Sequence, residues 1–242
     1  MNRQQYQKVV DDFADWTMTH ICELADDDPR PPLVVPLTVT FEIGAVKPDR
    51  ILLGFERLYV RICRRLVNNP DRPSKRHLLP FVIAFRDDPS TRRDKKHRRA
   101  ASLLSTHPSV AEHVHSIMVV HPALADRFLE IAGDLQGVWR SIPRRNGGAG
   151  GLPWYDNGSL RVELEFARRV GAMMAADPGR CRARVREDVH GWIDYSAKLM
   201  RRRSAADDGG LFTVLPTETN SPLIGRPALG RQGLLSELST GV

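Results

Sequence analysis

The sequence predicts an α+β fold, in which a small antiparallel sheet is covered by helices. Amphipathic segments of helical length alternate with short apolar segments that are rich in β-branched residues. After a leading helix, the predicted order is strand, helix, strand, strand and then helices. With 242 residues, of which 41% are hydrophobic, the chain can also bury a substantial core.

The first elements follow from apolar spacing and from the turns between them. Residues 2–25 carry apolar side chains at helical spacing, and the acidic, proline-rich segment 26–32 ends this helix. A strand is predicted over 33–43, where Pro36 favours an edge position or a later start. A second amphipathic helix is predicted over 48–67.

Two strands and three helices are predicted further along the chain. The strands cover 78–85 and 113–121. The helices cover 122–132, 160–176 and 182–203. This order favours helices packed on an antiparallel sheet.

Composition divides the chain into three parts. We predict a leading helix and turn (1–32), a main domain (33–204) and a tail (205–242). The main domain contains a glycine-rich segment at 147–151, which predicts a flexible loop. The tail is rich in Gly, Pro, Ser and Thr and lacks periodicity, so we predict that most of it is disordered.

Charge and cysteine content limit the partner and the compartment. Lys and Arg number 36 against 29 Asp and Glu, a net charge of +7, which favours a polyanionic partner such as nucleic acid. Cys22, Cys63 and Cys181 are far apart, which predicts neither a disulfide framework nor a cysteine-rich zinc site. No apolar signal segment or membrane-length apolar run is seen, so we expect a cytoplasmic protein without a membrane partner.

His113-Val114-His115 opens the third predicted strand. Because side chains alternate along a strand, both imidazoles project from one face while Val114 points to the other. Two imidazoles on one face are a ready pair of ligands for a divalent cation. The alternative is that they are two ordinary strand histidines.

Tyr195 and Lys198 lie in the last predicted helix at a spacing that places the phenol and the ammonium on one face. Tyrosine is a poor nucleophile unless a cation stabilises its oxyanion. A lysine one turn away can do so, or can stabilise charge on an attacked phosphate. The alternative is an amphipathic helix with a packed aromatic and a solvated lysine. Trp192, on the same helix, is expected to pack in the core.

Three motifs follow one another along the chain: a Thr-containing apolar strand at 37–41, the pair His113 and His115, and the pair Tyr195 and Lys198. In this order they resemble the motif set of HUH endonucleases of the replication-initiator class. The tyrosine follows the histidines, unlike in conjugative relaxases. With no second tyrosine on a neighbouring turn, the pattern resembles the one-tyrosine subclass.

The resemblance implies a ferredoxin-like sheet and site-specific nicking and joining of single-stranded DNA at a replication origin. It implies that His113 and His115 bind Mg or Mn, that Tyr195 forms a 5′-phosphotyrosine link, and that Lys198 assists electrostatically. The freed 3′-hydroxyl would prime rolling-circle replication of a plasmid, phage or integrated element by a host polymerase. Because no P-loop motif is present, unwinding would need a host helicase.

The third metal ligand departs from the family pattern. Members of the family usually take a carboxylate, often Glu, from the strand beside the histidines, whereas the equivalent position here falls on or near Arg86. Asp87 is our candidate, followed by Glu56 and Glu112. The alternative is that Asp87 and Asp88, next to a proline, belong to a plain turn.

A basic segment lies between the two inner predicted strands. Its cationic side chains are suited to contact the phosphates of single-stranded DNA. Its candidate DNA-binding residues are Arg92, Arg93, Lys95, Lys96, Arg98 and Arg99. The alternative is a solvated loop with no ligand.

Two other functions fit the same motifs. One is a transposase of the same chemistry, which origin or element-end sequences near the gene would distinguish. The other is a DNA-binding regulator that keeps the fold but has lost catalysis. The two histidines with the tyrosine and lysine argue against the regulator, whereas the missing family carboxylate argues for it.

Overall fold

The computed structural model describes residues 2–41, 51–87, 113–140, 159–176, 178–200 and 210–216. Within these ranges the helices are α1 (Arg3–Asp27), α2 (Ile51–Leu66), α3 (Ala125–Ala132), α4 (Leu135–Arg140), α5 (Leu164–Ala176) and α6 (Pro178–Ser196). The strands are β1 (Leu33–Thr40), β2 (Phe81–Asp87), β3 (His113–Val120), β4 (Leu160–Val162) and β5 (Phe212–Leu215). Short 3₁₀ segments occur at Pro73–Leu78, Pro122–Leu124 and Ala197–Leu199.

The strands form one sheet in the order β4-β1-β3-β2-β5. Each neighbouring pair is antiparallel. The predicted α+β class with an antiparallel sheet and covering helices is therefore confirmed.

Helices cover both faces of the sheet, and the long strands are therefore buried on both sides. The helices α2, α3 and α4 pack on one face, against alternate strand residues such as Val39, Ala84 and Val114. The helices α1 and α6, with part of α5, pack on the other face, against the intervening residues such as Phe85 and Ile117. We call this second face the α6 face. Two separate cores thus flank the sheet.

The helix α1 is held on the α6 face by its apolar side and by one long-range hydrogen bond. Asn2 and Gln5 form a reciprocal capping box that satisfies backbone N–H groups at its start. The buried phenol of Tyr6 donates to the backbone carbonyl of Asp194 on α6, at 2.8 Å. The N-terminal helix therefore also fixes the end of α6.

Pro36 lies in an interior strand that begins at Leu33, so both predicted alternatives, an edge position and a later start, are wrong. The strand β1 pairs with β3 along its whole length and with β4 over Leu37–Val39. The carbonyl of Pro36 accepts from the N–H of Glu163, at 3.0 Å. Because the N–H and C=O of one strand residue point to the same side, the missing N–H faces the short strand β4 and costs no bond to β3.

The segment predicted as the start of a helix at residue 160 is instead the strand β4. Leu160–Val162 pairs with β1, and α5 begins only at Leu164. Short apolar runs do not distinguish a strand from a helix without knowledge of the pairing partner.

The predicted boundary of the tail at residue 205 also needs correction, because Phe212–Leu215 forms β5 and pairs with β2. Phe212 is buried and contacts Phe13 with ring centroids 5.0 Å apart. Gly210, at φ 73°, adopts a backbone conformation that suits glycine just before this strand. Residues 205–209 and 217–242 of the tail lie outside the described residues, as does the glycine-rich segment 147–151.

Candidate metal centre and active site

Strand register brings three potential ligands together on the α6 face. His113 and His115 lie on the same side of β3, and Asp87, the last residue of β2, pairs directly with His113. The Nε2 atom of His113 lies 2.9 Å from Asp87 Oδ2, and Nε2 of His115 lies 3.4 Å from the same oxygen. The predicted cluster of His113, His115 and Asp87 therefore forms in the folded chain.

The carboxylate of Asp87 is deeply buried, with 2% of the residue exposed. Burial raises its pKa, but contacts with His113, His115 and Lys198 outweigh burial and hold the pKa well below its usual range. Burial lowers the pKa of His115, which favours the neutral imidazole. A carboxylate beside a neutral imidazole is the protonation state that metal ligation requires.

The group of Asp87, His113 and His115 could hold a metal ion. One potential ligand atom from each residue lies within 4.8 Å of the others. Two buried atoms, Oδ1 of Asp87 and Nε2 of His115, have no hydrogen-bond partner in the described part of the chain. Because buried polar atoms nearly always have a partner, these two atoms fit a site completed by a bound cation. One carboxylate and two imidazoles suit a divalent metal.

The end of α6 adds Tyr195 and Lys198 to this cluster. The helix ends at Ser196, and Lys198 lies in the 3₁₀ turn that follows. Side chains three residues apart on consecutive helical turns lie on the same side. Accordingly, Lys198 Nζ lies 4.1 Å from the centroid of the Tyr195 ring and 2.5 Å from Asp87 Oδ2.

Tyr195 is accessible although its neighbours are buried. It is 37% exposed, and its ring centroid lies 5.0 Å from that of His115. An exposed phenol beside a potential metal site can meet a ligand that approaches from solvent. The structure thus brings together the pair Tyr195–Lys198 and the pair of histidines, which are about eighty residues apart in sequence.

Trp192 fixes α6 relative to β3. Its Nε1–H donates to the backbone carbonyl of Ser116, at 3.0 Å, and its ring contacts those of His115 and Tyr195. It is half-buried and packs at the edge of the core, so its placement agrees with the packing role expected from the sequence.

Thr38 is a further member of the cluster that the sequence did not single out. It lies directly opposite His115 in the β1–β3 register, and its Oγ1 is hydrogen-bonded to Nδ1 of His115, at 2.9 Å. The sequence shows only a Thr-containing strand. Which imidazole faces Thr38 depends on the register between strands that are far apart in the chain.

Of the other candidate ligands, those that the structure describes do not join the cluster. Glu56 accepts a hydrogen bond from Thr213 and lies on the opposite face of the sheet, so its candidacy is wrong. Arg86 is buried and also points to that face, because it precedes Asp87 by one residue on β2. Glu112 and Asp88 lie outside the described residues.

The predicted DNA-binding residues Arg92, Arg93, Lys95, Lys96, Arg98 and Arg99 also lie outside the described residues. The segment that contains them connects the end of β2, at Asp87, to the start of β3, at His113. The described residues on either side of that segment, Asp87 and His113, both belong to the candidate metal centre.

Comparisons of this chain with protein-family models, curated proteins and solved structures found no match. Among the described helices, none is both long enough and apolar enough to cross a membrane.

Proposed function

We propose that this chain nicks and rejoins single-stranded DNA through Tyr195, as a metal-dependent endonuclease that resembles the HUH replication initiators. The observation that carries the proposal is the position of the Tyr195 ring, 5.0 Å from the ring of His115 and beside the group that could hold a metal. Lys198 contacts both Tyr195 and Asp87 and so connects the nucleophile to the metal ligands.

The order of the elements supports a ferredoxin-like core. From β1 to β4 the chain runs strand, helix, strand, strand, helices, strand, and the sheet order of these strands is β4-β1-β3-β2. The helices inside this unit, α2, α3 and α4, share one face. This is the arrangement expected of a β-α-β-β-α-β unit. The helices α1 and α6 then cover the other face, which leaves the histidines between the sheet and α6.

The proposed reaction exchanges one phosphodiester for another. The Tyr195 oxygen attacks phosphorus and loses its proton to solvent, the bond from phosphorus to the 3′-oxygen breaks, and that oxygen takes up a proton. The product is a 5′-phosphotyrosine and a free 3′-hydroxyl, which can attack in the reverse direction to rejoin the strand. Mg or Mn held by Asp87, His113 and His115 would polarise the phosphate. Lys198 would stabilise charge on the phenolate or the phosphate.

The proposed partner is single-stranded DNA at a replication origin. A net charge of +7 and the basic segment at 92–99 supply cationic side chains for a phosphate backbone. Because strand transfer conserves one phosphodiester bond per event, the reaction needs no nucleotide cofactor. A host helicase and polymerase would extend the freed end, and a cytoplasmic location suits these partners.

Covalent capture tests the proposal. Incubation with single-stranded origin DNA and Mn should give a DNA-linked protein band that survives denaturation, with the adduct mapped to Tyr195 by mass spectrometry. Tyr195→Phe removes only the hydroxyl, so both nicking and the adduct should vanish while DNA binding persists. Tyr59→Phe is the matched control, because Tyr59 is buried on the opposite face and donates to the carbonyl of Pro80. An adduct on another tyrosine would contradict the assignment.

A DNA-binding regulator without catalysis is the second candidate, and one contact favours it. Lys198 Nζ lies 2.5 Å from Asp87 Oδ2, so an ammonium can neutralise the carboxylate without a metal. A regulator of this kind should bind DNA equally well in chelator and in Mn and should leave every substrate strand intact. Nicking that depends on Mn and on Tyr195 would exclude it.

A further inference from the structure

The hydrogen bond between Thr38 and His115 joins two interior strands at the metal centre. The two residues are directly opposed in the β1–β3 register, with Oγ1 2.9 Å from Nδ1. His115 is 4% exposed, so solvent does not compete strongly for its ring nitrogens. The partner of Nδ1 therefore determines which nitrogen of a neutral His115 carries the proton.

Two arrangements satisfy this bond. Either the Thr38 hydroxyl donates to an unprotonated Nδ1 and the proton is on Nε2, or Nδ1–H donates to the hydroxyl oxygen and Nε2 keeps its lone pair. The Nε2 atom is buried and has no hydrogen-bond partner among the described residues, and Asp87 Oδ2 lies 3.4 Å away. The first arrangement protonates Nε2, which then has no lone pair to offer to a cation. The second leaves a lone pair directed at the cluster.

We propose that Thr38 is a positioning residue that holds His115 in the Nδ1–H tautomer, so that its Nε2 lone pair is available to a divalent cation. The inference rests on the metal-binding part of the proposed function. It assigns a role to one threonine of the strand at 37–41.

A threonine in an interior strand is well suited to this role. Its β-branched side chain restricts χ1, so the hydroxyl has a defined direction, and the hydroxyl oxygen can accept from an imidazole N–H. Hydrogen bonds to the second nitrogen of a metal-binding histidine orient the ring and fix its tautomer, and their loss typically weakens metal binding about 10- to 100-fold.

The test uses variants of almost equal size. Thr38→Val keeps the shape and removes the hydroxyl, whereas Thr38→Ser keeps the hydroxyl. Thr40→Val is the matched control, since Thr40 lies on the same face of β1, opposite His113. The readouts are the ¹⁵N shifts of the imidazole nitrogens in the metal-free protein, which report the tautomer, and Mn affinity by electron paramagnetic resonance.

We expect the wild-type protein to show Nδ1–H at His115, and Thr38→Val to shift toward Nε2–H and to bind Mn about 10- to 100-fold more weakly. Thr38→Ser should restore both readouts to near the wild-type values, and Thr40→Val should change Mn affinity by less than about twofold. Wild-type His115 found as Nε2–H would overturn the proposal, even if no variant folds. So would a Thr38→Val protein with the wild-type tautomer and affinity. If the wild-type protein itself fails to bind Mn, the proposed function fails, while the tautomer measurement still tests Thr38.

Discussion

Replacing Lys198 with Met tests whether a buried charge pair maintains the metal-free site. Asp87 is 2% exposed, and its Oδ2 is bound by Lys198 at 2.5 Å and by His113 at 2.9 Å. Met removes the ammonium and keeps most of the side-chain volume. The main effect is therefore that the buried negative charge of Asp87 loses one of its positively charged partners.

The magnitude follows from the burial of the two groups. Removing one partner of a buried ion pair typically costs about 3 to 5 kcal/mol. Because the Lys198 side chain is 22% exposed and His113 stays bonded to the same oxygen, we expect the lower end of that range. A loss of about 3 kcal/mol lowers Tm by roughly 6 to 12 °C in a chain of this length.

The assay is thermal and urea unfolding of the wild type, Lys198→Met, Asp87→Asn and the double variant, all in chelator at neutral pH. Asn is uncharged, so in the double variant no buried charge is left without its partner. The double variant should therefore be more stable than the sum of the two single losses predicts, with a coupling free energy of about 2 kcal/mol. Lys198→Met within about 0.5 kcal/mol of the wild type would refute the reasoning. If the two single losses of stability are strictly additive in the double variant, the loss in Lys198→Met comes from altered packing and not from the charge pair.

The pH dependence has a defined sign. The pKa of Asp87 is lower in the folded protein than in the unfolded chain, so its stabilising contribution is present above the unfolded value and is lost as pH falls through the folded value. Lys198 is one of the contacts that lower this pKa, so without it Asp87 takes up its proton at a higher pH. The stability difference between the wild type and Lys198→Met should therefore shrink as pH is lowered from neutral.

Three other predictions concern the metal, the last strand and a buried thiol. His113→Ala with His115→Ala should abolish both Mn-dependent nicking and any rise of Tm in Mn, with the fold retained by circular dichroism; cleavage in excess chelator would contradict this. Phe212→Ala should cost about 3 to 5 kcal/mol in urea unfolding, because the ring is buried in the α6-face core; a change near zero would place the ring outside the core. Burial raises the pKa of Cys63 to about 12, so a maleimide should label half-buried Cys22 before Cys63, which should react only on unfolding.

Local sequence patterns predicted the parts of the site that lie within one element. The period of two along β3 places His113 and His115 on one face wherever that strand lies. The spacing of Tyr195 and Lys198 likewise brings the phenol and the ammonium together, although Lys198 lies in a 3₁₀ turn just past the end of α6, where the prediction was an α-helix. Both pairs follow from backbone geometry over a few residues.

Strand pairing determined the rest, and a single sequence does not specify it. The antiparallel register places Asp87 beside His113, Thr38 beside His115, and Glu56 on the far face. A shift of that register by one residue would turn each of these side chains to the other face of the sheet.

The same reason explains why the strands β4 and β5 were not predicted from the sequence. Leu160–Val162 and Phe212–Leu215 are too short to show a clear period, and each is defined by hydrogen bonds to a strand more than a hundred residues away. The sequence by itself determined which side chains share a face within one element. Only the tertiary structure decided which elements lie side by side, because that choice depends on burying apolar faces against distant parts of the chain.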